Sequence, residues 1–273
     1  MEVDKDIRRE HLRWQFPDFE CKAFEKKSHN YAVCVFVINE GERIHKQLQK
    51  MKTYSRQADI VVADGGSTDG SLEASFLKKM GVRALLTKKG NGKLSAQMRM
   101  AFAYAMHEGY EGIIVVDGNG KDDISAIPQF IELLDKGYDH IQGSRFIPGG
   151  KAINTPLSRH VAVHFIHAPL LSLASRHRHT DTTNGFRAYS RRLLLDENID
   201  IFRDVFQTYE LHYYLAVESA RSTKKYRLIE TPVTRAYPKK GKTPTKISPI
   251  KGNLHIMGVL IRAASRKYRP QQQ

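Results

Sequence analysis

Cysteine is scarce: Cys21 and Cys34 are the only two in 273 residues. Two thiols cannot build a disulfide framework, so a reducing compartment fits and burial must hold the fold. Cys34 lies inside an apolar run and reads as a buried thiol. Acid is also short: 29 Asp and Glu against 44 Lys and Arg leave a formal charge of +15. That excess predicts attraction to polyanions, namely nucleotide phosphates, an anionic membrane surface or nucleic acid. No recognition-helix or zinc motif accompanies the charge, which makes nucleic acid the least favoured of these. No apolar run reaches the ~20 residues of a membrane span, and the best, His255 to Ala264, is interrupted by Arg262. The opening MEVDKDIRREHLR is charged and lacks an apolar signal core, so a cytoplasmic location is expected, peripheral on the membrane face. Disorder is not expected, because 41% of the chain is apolar.

The residues that are present alternate. Apolar runs at Tyr31–Ile38, Ile60–Ala63, Val82–Leu86, Gly112–Val116 and His140–Ile141 read as strands. Helical patterns over Glu40–Tyr54, Ser71–Met80, Leu94–His107 and Ile124–Leu134 separate them. Such alternation predicts an α/β fold with a mostly parallel central sheet and helices on both faces. After Ser144 the rhythm changes. A loop is expected at Phe146–Pro156, helices at Ser158–Ser175 and Val205–Arg221, and a strand at Tyr226–Val233. A basic turn-rich loop, Tyr237–Pro249, then leads to a basic amphipathic helix, Leu254–Arg266. That helix suits a membrane interface or docking on the protein's own core.

Two turns carry chemistry. IVVADGGSTDGS, Ile60–Ser71, is a short buried strand ending in Asp64 and a glycine-rich turn. Open α/β sheets bind nucleotides at that carboxyl edge, glycine lets the backbone approach closely, and Asp69 is placed to cap the next helix. VVDGNGKDD, Val115–Asp123, repeats the arrangement at another strand end. Asp117 and Asn119, two apart on extended chain, face the same way, and such oxygen ligands suit a hard divalent cation bridging to a diphosphate. Each turn alone also reads as a plain helix-capping loop; two, each ending a central strand, favour a site. His160, His164 and His167 share a helix face, but no carboxylate or cysteine completes a zinc set. They read as surface groups, and with Arg176–His179 their helix could lie on an anionic membrane.

Asn39–Glu40, ADGGSTDG, the Asp117 turn, GSRF at Gly143–Phe146 and NGFRAYSR at Asn184–Arg191 occur in that order. Together they resemble the family 2 glycosyltransferases, above all the dolichyl-phosphate mannose synthase branch and the bacterial polyprenyl-phosphate sugar transferases, over roughly residues 33–246. The resemblance implies a nucleotide-diphosphosugar transferase fold of GT-A type, a Rossmann-like sandwich. It implies a divalent cation, Mg or Mn, and inverting transfer of one sugar from a UDP- or GDP-linked donor. The composition along the chain divides it into an N-terminal extension (1–29), a catalytic domain (30–249) and a C-terminal basic amphipathic helix and tail (250–273). Asn39, Glu40, Asp64 and the edge near Lys93 would take the nucleotide. Asp117 and Asn119 would hold the metal. Gly65 stands where the family carries a second aspartate, and Asn119 and Lys121 replace an acid and a glutamine. Both changes weaken the case for metal, and Lys121 could hold a phosphate itself.

Arg145 in GSRF could pair with the diphosphate or sugar, and Asp181 and Arg187 frame the sugar–acceptor turn; these three are the expected catalytic residues. Glu210 is either an acceptor-side group or a helix-surface charge. Arg235 and Lys246 best match the residues that grip a lipid phosphate in the relatives, Lys242 of the same basic loop is a further acceptor-binding candidate, and a polyprenyl phosphate is the preferred acceptor. An ionised phosphate oxygen needs little general-base help but does need positioning and cationic stabilisation. A hydroxyl acceptor would need a base, for which Asp181 is the candidate. The rivals are the same chemistry on a glycan, protein or modified DNA, and a non-catalytic nucleotide-sugar binder.

Overall fold

A computed structural model describes residues 3–239 and 251–270 of the chain. Its main sheet has eight strands: β1 (Phe19–Ala23), β2 (Tyr31–Val37), β3 (Asp59–Asp64), β4 (Val82–Lys88), β5 (Gly112–Asp117), β6 (His140–Ser144), β8 (Arg187–Ser190) and β9 (Leu228–Pro232). Two more strands, β7 (Lys151–Ile153) and β10 (Thr234–Ala236), pair in parallel as a small second sheet. The spatial order of the main sheet is β1-β4-β3-β2-β5-β8-β6-β9. Parallel pairing joins β4, β3, β2 and β5, and also β6 with β9. β1 and β8 run antiparallel to their neighbours. The α/β, mostly parallel expectation therefore holds, with one antiparallel strand at the edge and one inside the sheet.

Side chains alternate across the sheet, as extended chain requires. On one face Cys34 and Phe36 of β2 and Val61 and Ala63 of β3 pack with α1 (Val3–Glu10), α4 (Leu94–His107), α9 (Glu210–Arg221) and α10 (Lys251–Ala264). On the other, Val33, Val35, Val37, Ile60 and Val62 meet α2 (Glu42–Met51), α3 (Ala74–Lys79) and α5 (Ile127–Asp135). Burial on both faces explains why these strands read as unbroken apolar runs.

Several elements differ from the sequence expectation. The extension supplies not only α1 but the edge strand β1, which pairs along Phe19–Ala23 with β4. FECKA lacks an apolar run because one face is open. NGFRAYS yields β8, inserted between β5 and β6. α3 starts at Ala74, not Ser71, and its N-cap is Glu73. Asp69 therefore does not cap it. Its carboxylate accepts from Ser71 N and Oγ and from Gly41 N, lacing the turn to the end of β2. α9 begins at Glu210 rather than Val205. The helix expected over Ser158–Ser175 forms as α6 (Leu157–Ala162), a π turn (Val163–His167) and α7 (Ala168–Ser175). α8 (Arg191–Leu194) is one short turn.

Candidate functional site

The two sequence turns meet at the carboxyl edge of the parallel strands. Asp64 pairs in register with Val37, and Asp117 with Phe36, so the two aspartates flank β2. Two strand spacings put them about 10 Å apart. Asp64 is buried, and its Oδ1 accepts from Gly66 N (3.1 Å), Ser67 N (2.8 Å) and Ser67 Oγ (2.7 Å). One carboxylate oxygen thus shapes the turn. Asn39, at φ +48°, receives Thr68 N on its Oδ1 and fixes the other side of the turn. Glu40 is buried, and Arg43 binds its Oε2 at 2.7–2.8 Å. Lys93 is exposed at the N-terminus of α4, where its backbone N–H donates to Gln207 O.

Gly65 has a steric reason to lack a carboxylate. A Cβ there would sit 3.3 Å from both Ile38 Cβ and Val37 O and 3.4 Å from Gln97 Oε1. The Gln97 amide bridges the carbonyls of Val37 and Ala63 across the ends of β2 and β3. A residue read only as part of a helix therefore packs against Gly65.

Asp117 sits in a cationic nest. Its Oδ2 accepts from Arg235 Nη2 (2.9 Å) and Asn119 Nδ2 (3.2 Å). The other arm of Arg235 reaches Asp122, whose side chain is fully buried. Asp122 thus belongs to the site. β10 carries Arg235 there by strapping the loop after β5: Asp123 N donates to Thr234 O and Ala236 N to Lys121 O. Desolvation pushes the Asp122 carboxyl up, whereas Arg235 and Lys121 outweigh desolvation at Asp117 and hold it down. Desolvation and Arg235 lower the buried Lys121 ammonium, which lies 5.3 Å from the Tyr237 ring. Burial keeps the His212 imidazole of α9, within the field of Asp117, neutral.

The donor set offers a divalent cation one open carboxylate oxygen. Asp117 is ionised, and Gly185 leaves space beside its Oδ1: a Cβ there would lie 3.1 Å from that oxygen. Asn119 adds a neutral amide oxygen that already accepts from Lys121 N (3.2 Å). Among the described residues, three His and Glu side chains close enough for one ion occur only at Glu10, His11 and His107, at the far end of α4.

The expected catalytic trio, Asp181, Arg187 and Arg145, is buried. Asp181 is fully buried, and Arg145 holds both its oxygens, Nε to Oδ2 at 2.6 Å and Nη2 to Oδ1 at 2.9 Å. An oxygen pair so engaged is no general base. Glu230 fixes the same segment by accepting from Thr180 N and Oγ1 and Asp181 N. Arg187, 1% exposed, donates to the carbonyls of Asn184, His212 and Thr182, so it clamps the turn to α9. Glu210 is buried and takes Thr208 N and Oγ1, so it is neither a surface charge nor open to an acceptor. Lys242 and Lys246 lie outside the described residues.

An aspartate-lined carboxyl edge on a mostly parallel sheet lies where open α/β proteins bind nucleotides. The Glycosyl transferase family 2 model matches residues 32–196, and the chain belongs to that family. It is 27% identical over 204 residues to the undecaprenyl-phosphate mannosyltransferase of Micrococcus luteus, covering 72% of this chain and 79% of that one. It is 28% identical over 175 residues to the polyprenol monophosphomannose synthase of Mycolicibacterium smegmatis, covering 62% and 64%. Among solved structures it resembles glucosyl-3-phosphoglycerate synthase from Mycobacterium tuberculosis in complex with Mn2+, UDP and phosphoglyceric acid. The TM-score is 0.62 at 14% identity, covering 98% of this chain and 84% of that one. This likeness supports the GT-A-type fold.

Proposed function

We propose that this glycosyltransferase moves one sugar, with inversion, from a UDP- or GDP-sugar to a polyprenyl phosphate. The observation that carries the reading is the nest around Asp117, where Arg235 and Lys121 bring buried positive charge to the edge that the Asp64 turn also lines. The two relatives named for lipid-phosphate mannosylation support the acceptor class.

The nucleotide lies over Asp64 and Asn39, with its diphosphate towards Asp117. A divalent cation, Mg or Mn, held by Asp117 with Asn119, would supply positive charge to the leaving diphosphate. Arg235 and Lys121 supply further charge from the protein. An oxygen of the lipid phosphate forms the new bond to the anomeric carbon, and the bond from that carbon to the diphosphate breaks. The nucleophile is ionised already, so the capture of Asp181 by Arg145 costs the reaction nothing. Arg145 and Asp181 instead tie the end of β6 to the segment before β8.

Calorimetric titration with UDP and GDP, with and without Mn2+, tests the donor side. The wild-type chain should bind one of the two, and Asp64→Asn should bind it at least tenfold more weakly. Equal binding by the variant, or binding of neither nucleotide, would reject the placement.

A further inference from the structure

We propose that α6, the π turn, α7 and α10 form one face on which the protein lies against an anionic lipid bilayer. The proposal rests on the lipid-phosphate reading of the acceptor. The large apolar side chains left exposed concentrate here. Leu157 and Phe165 are each 78% exposed and Leu173 79%, with Val161 and Pro169 open between them. These five recur every fourth residue. In an uninterrupted α-helix such a row winds round the axis. The π turn at Val163–His167 holds more residues per turn and so keeps the row straighter.

α10 extends the face. Ile261, 53% exposed, lines a groove of about 310 Å³ with Leu170, Leu173 and Ala174 of α7. The inner side of α10, Val259, Leu260 and Ala263, is buried on the core, so the helix is docked while Leu254 and Ile261 stay exposed on its outer side.

Charge selects the occupant. Residues 154–180 and 251–270 contain no aspartate or glutamate. Arg176, Arg178, Lys251 and Arg262 are exposed on these segments. Exposed apolar residues framed by cations, without a carboxylate, match anionic headgroups above acyl chains. The face also adjoins the site. Arg159 of α6 donates to the Tyr237 hydroxyl (2.7 Å), and Tyr237 lies over Lys121 and near Arg235. A polyprenyl phosphate could leave its tail in the bilayer while its headgroup reaches the nest.

Flotation of the full chain with vesicles of phosphatidylglycerol and phosphatidylcholine, compared with phosphatidylcholine alone, tests this. The chain should float with the anionic vesicles, less so at high salt. Phe165→Ser with Leu173→Ser should lower that binding tenfold or more while its circular dichroism stays unchanged. Wild type that stays at the bottom, a double variant that floats equally, or a stable dimer that buries this face would each overturn the proposal. Turnover on a short-chain polyprenyl phosphate in detergent separates the two readings. Turnover in detergent without flotation removes only the docking face, and flotation without turnover on any donor removes only the acceptor assignment.

Discussion

Replacing Arg235 with alanine isolates the electrostatics of the site. The guanidinium is buried and bridges Asp122, whose side chain has no exposure, and Asp117, whose side chain is a quarter exposed. Removing it leaves one carboxylate buried without its ion-pair partner and a second partly so. Breaking a buried pair from one side costs about 3–5 kcal/mol. Desolvation already raises the Asp122 carboxyl, and without Arg235 it rises further. In the variant the folded state therefore binds the proton more readily than the unfolded chain. The deficit should be smallest near pH 5 and grow as pH rises, since unfolded carboxylates ionise near 3.8. Urea denaturation of Arg235→Ala and wild type at pH 5 and pH 8 reads this directly. Adding Asp122→Asn should recover much of the loss at pH 8 and little at pH 5. A deficit below about 1 kcal/mol, or one equal at both pH values, would refute the view that Arg235 neutralises a buried carboxylate pair.

Asp181→Asn should destabilise the chain by about 3–5 kcal/mol, because Arg145 is 1% exposed at its side chain and would lose its counter-charge; thermal or urea unfolding checks it. Asp69→Ala should cost only about 1 kcal/mol and leave α3 helical, since its carboxylate ties the turn to Gly41 rather than capping the helix. Burial, with His177 and Arg187 nearby, pulls the His179 imidazole down to about 3 from 6.5. The unfolded chain is then the stronger proton binder, so stability should fall on acidification through that window. His179 alone contributes about 1.4 kcal/mol per pH unit, and His179→Gln should flatten the slope measured by denaturation between pH 6.5 and 4.5.

The central strands were legible because burial on both faces leaves unbroken apolar runs, as in YAVCVFV and DIVVAD. β1 and β8 were not. FECKA buries only Phe19 among mixed residues, and RAYS sits inside a motif that reads as a turn. Asp64 and Asp117 were placed correctly at strand ends, because a strand period and a following glycine fix that edge. Their partners depend on tertiary pairing. Nothing local says that Arg235 reaches back to Asp122, that Gln97 fills the space beside Gly65, or that Arg145 takes both oxygens of Asp181. Glu210 shows the same limit from the other side: its helix position was right, but its carboxylate serves Thr208.

The central claim is sugar transfer to a lipid phosphate. Incubating the chain with Mn2+ or Mg2+, undecaprenyl phosphate and a panel of radiolabelled UDP- and GDP-sugars, then extracting with organic solvent, measures it. Label from one donor should enter the organic phase as an acid-labile lipid phosphate sugar, and Asp117→Ala should abolish it. An organic phase free of label with every donor would contradict the account.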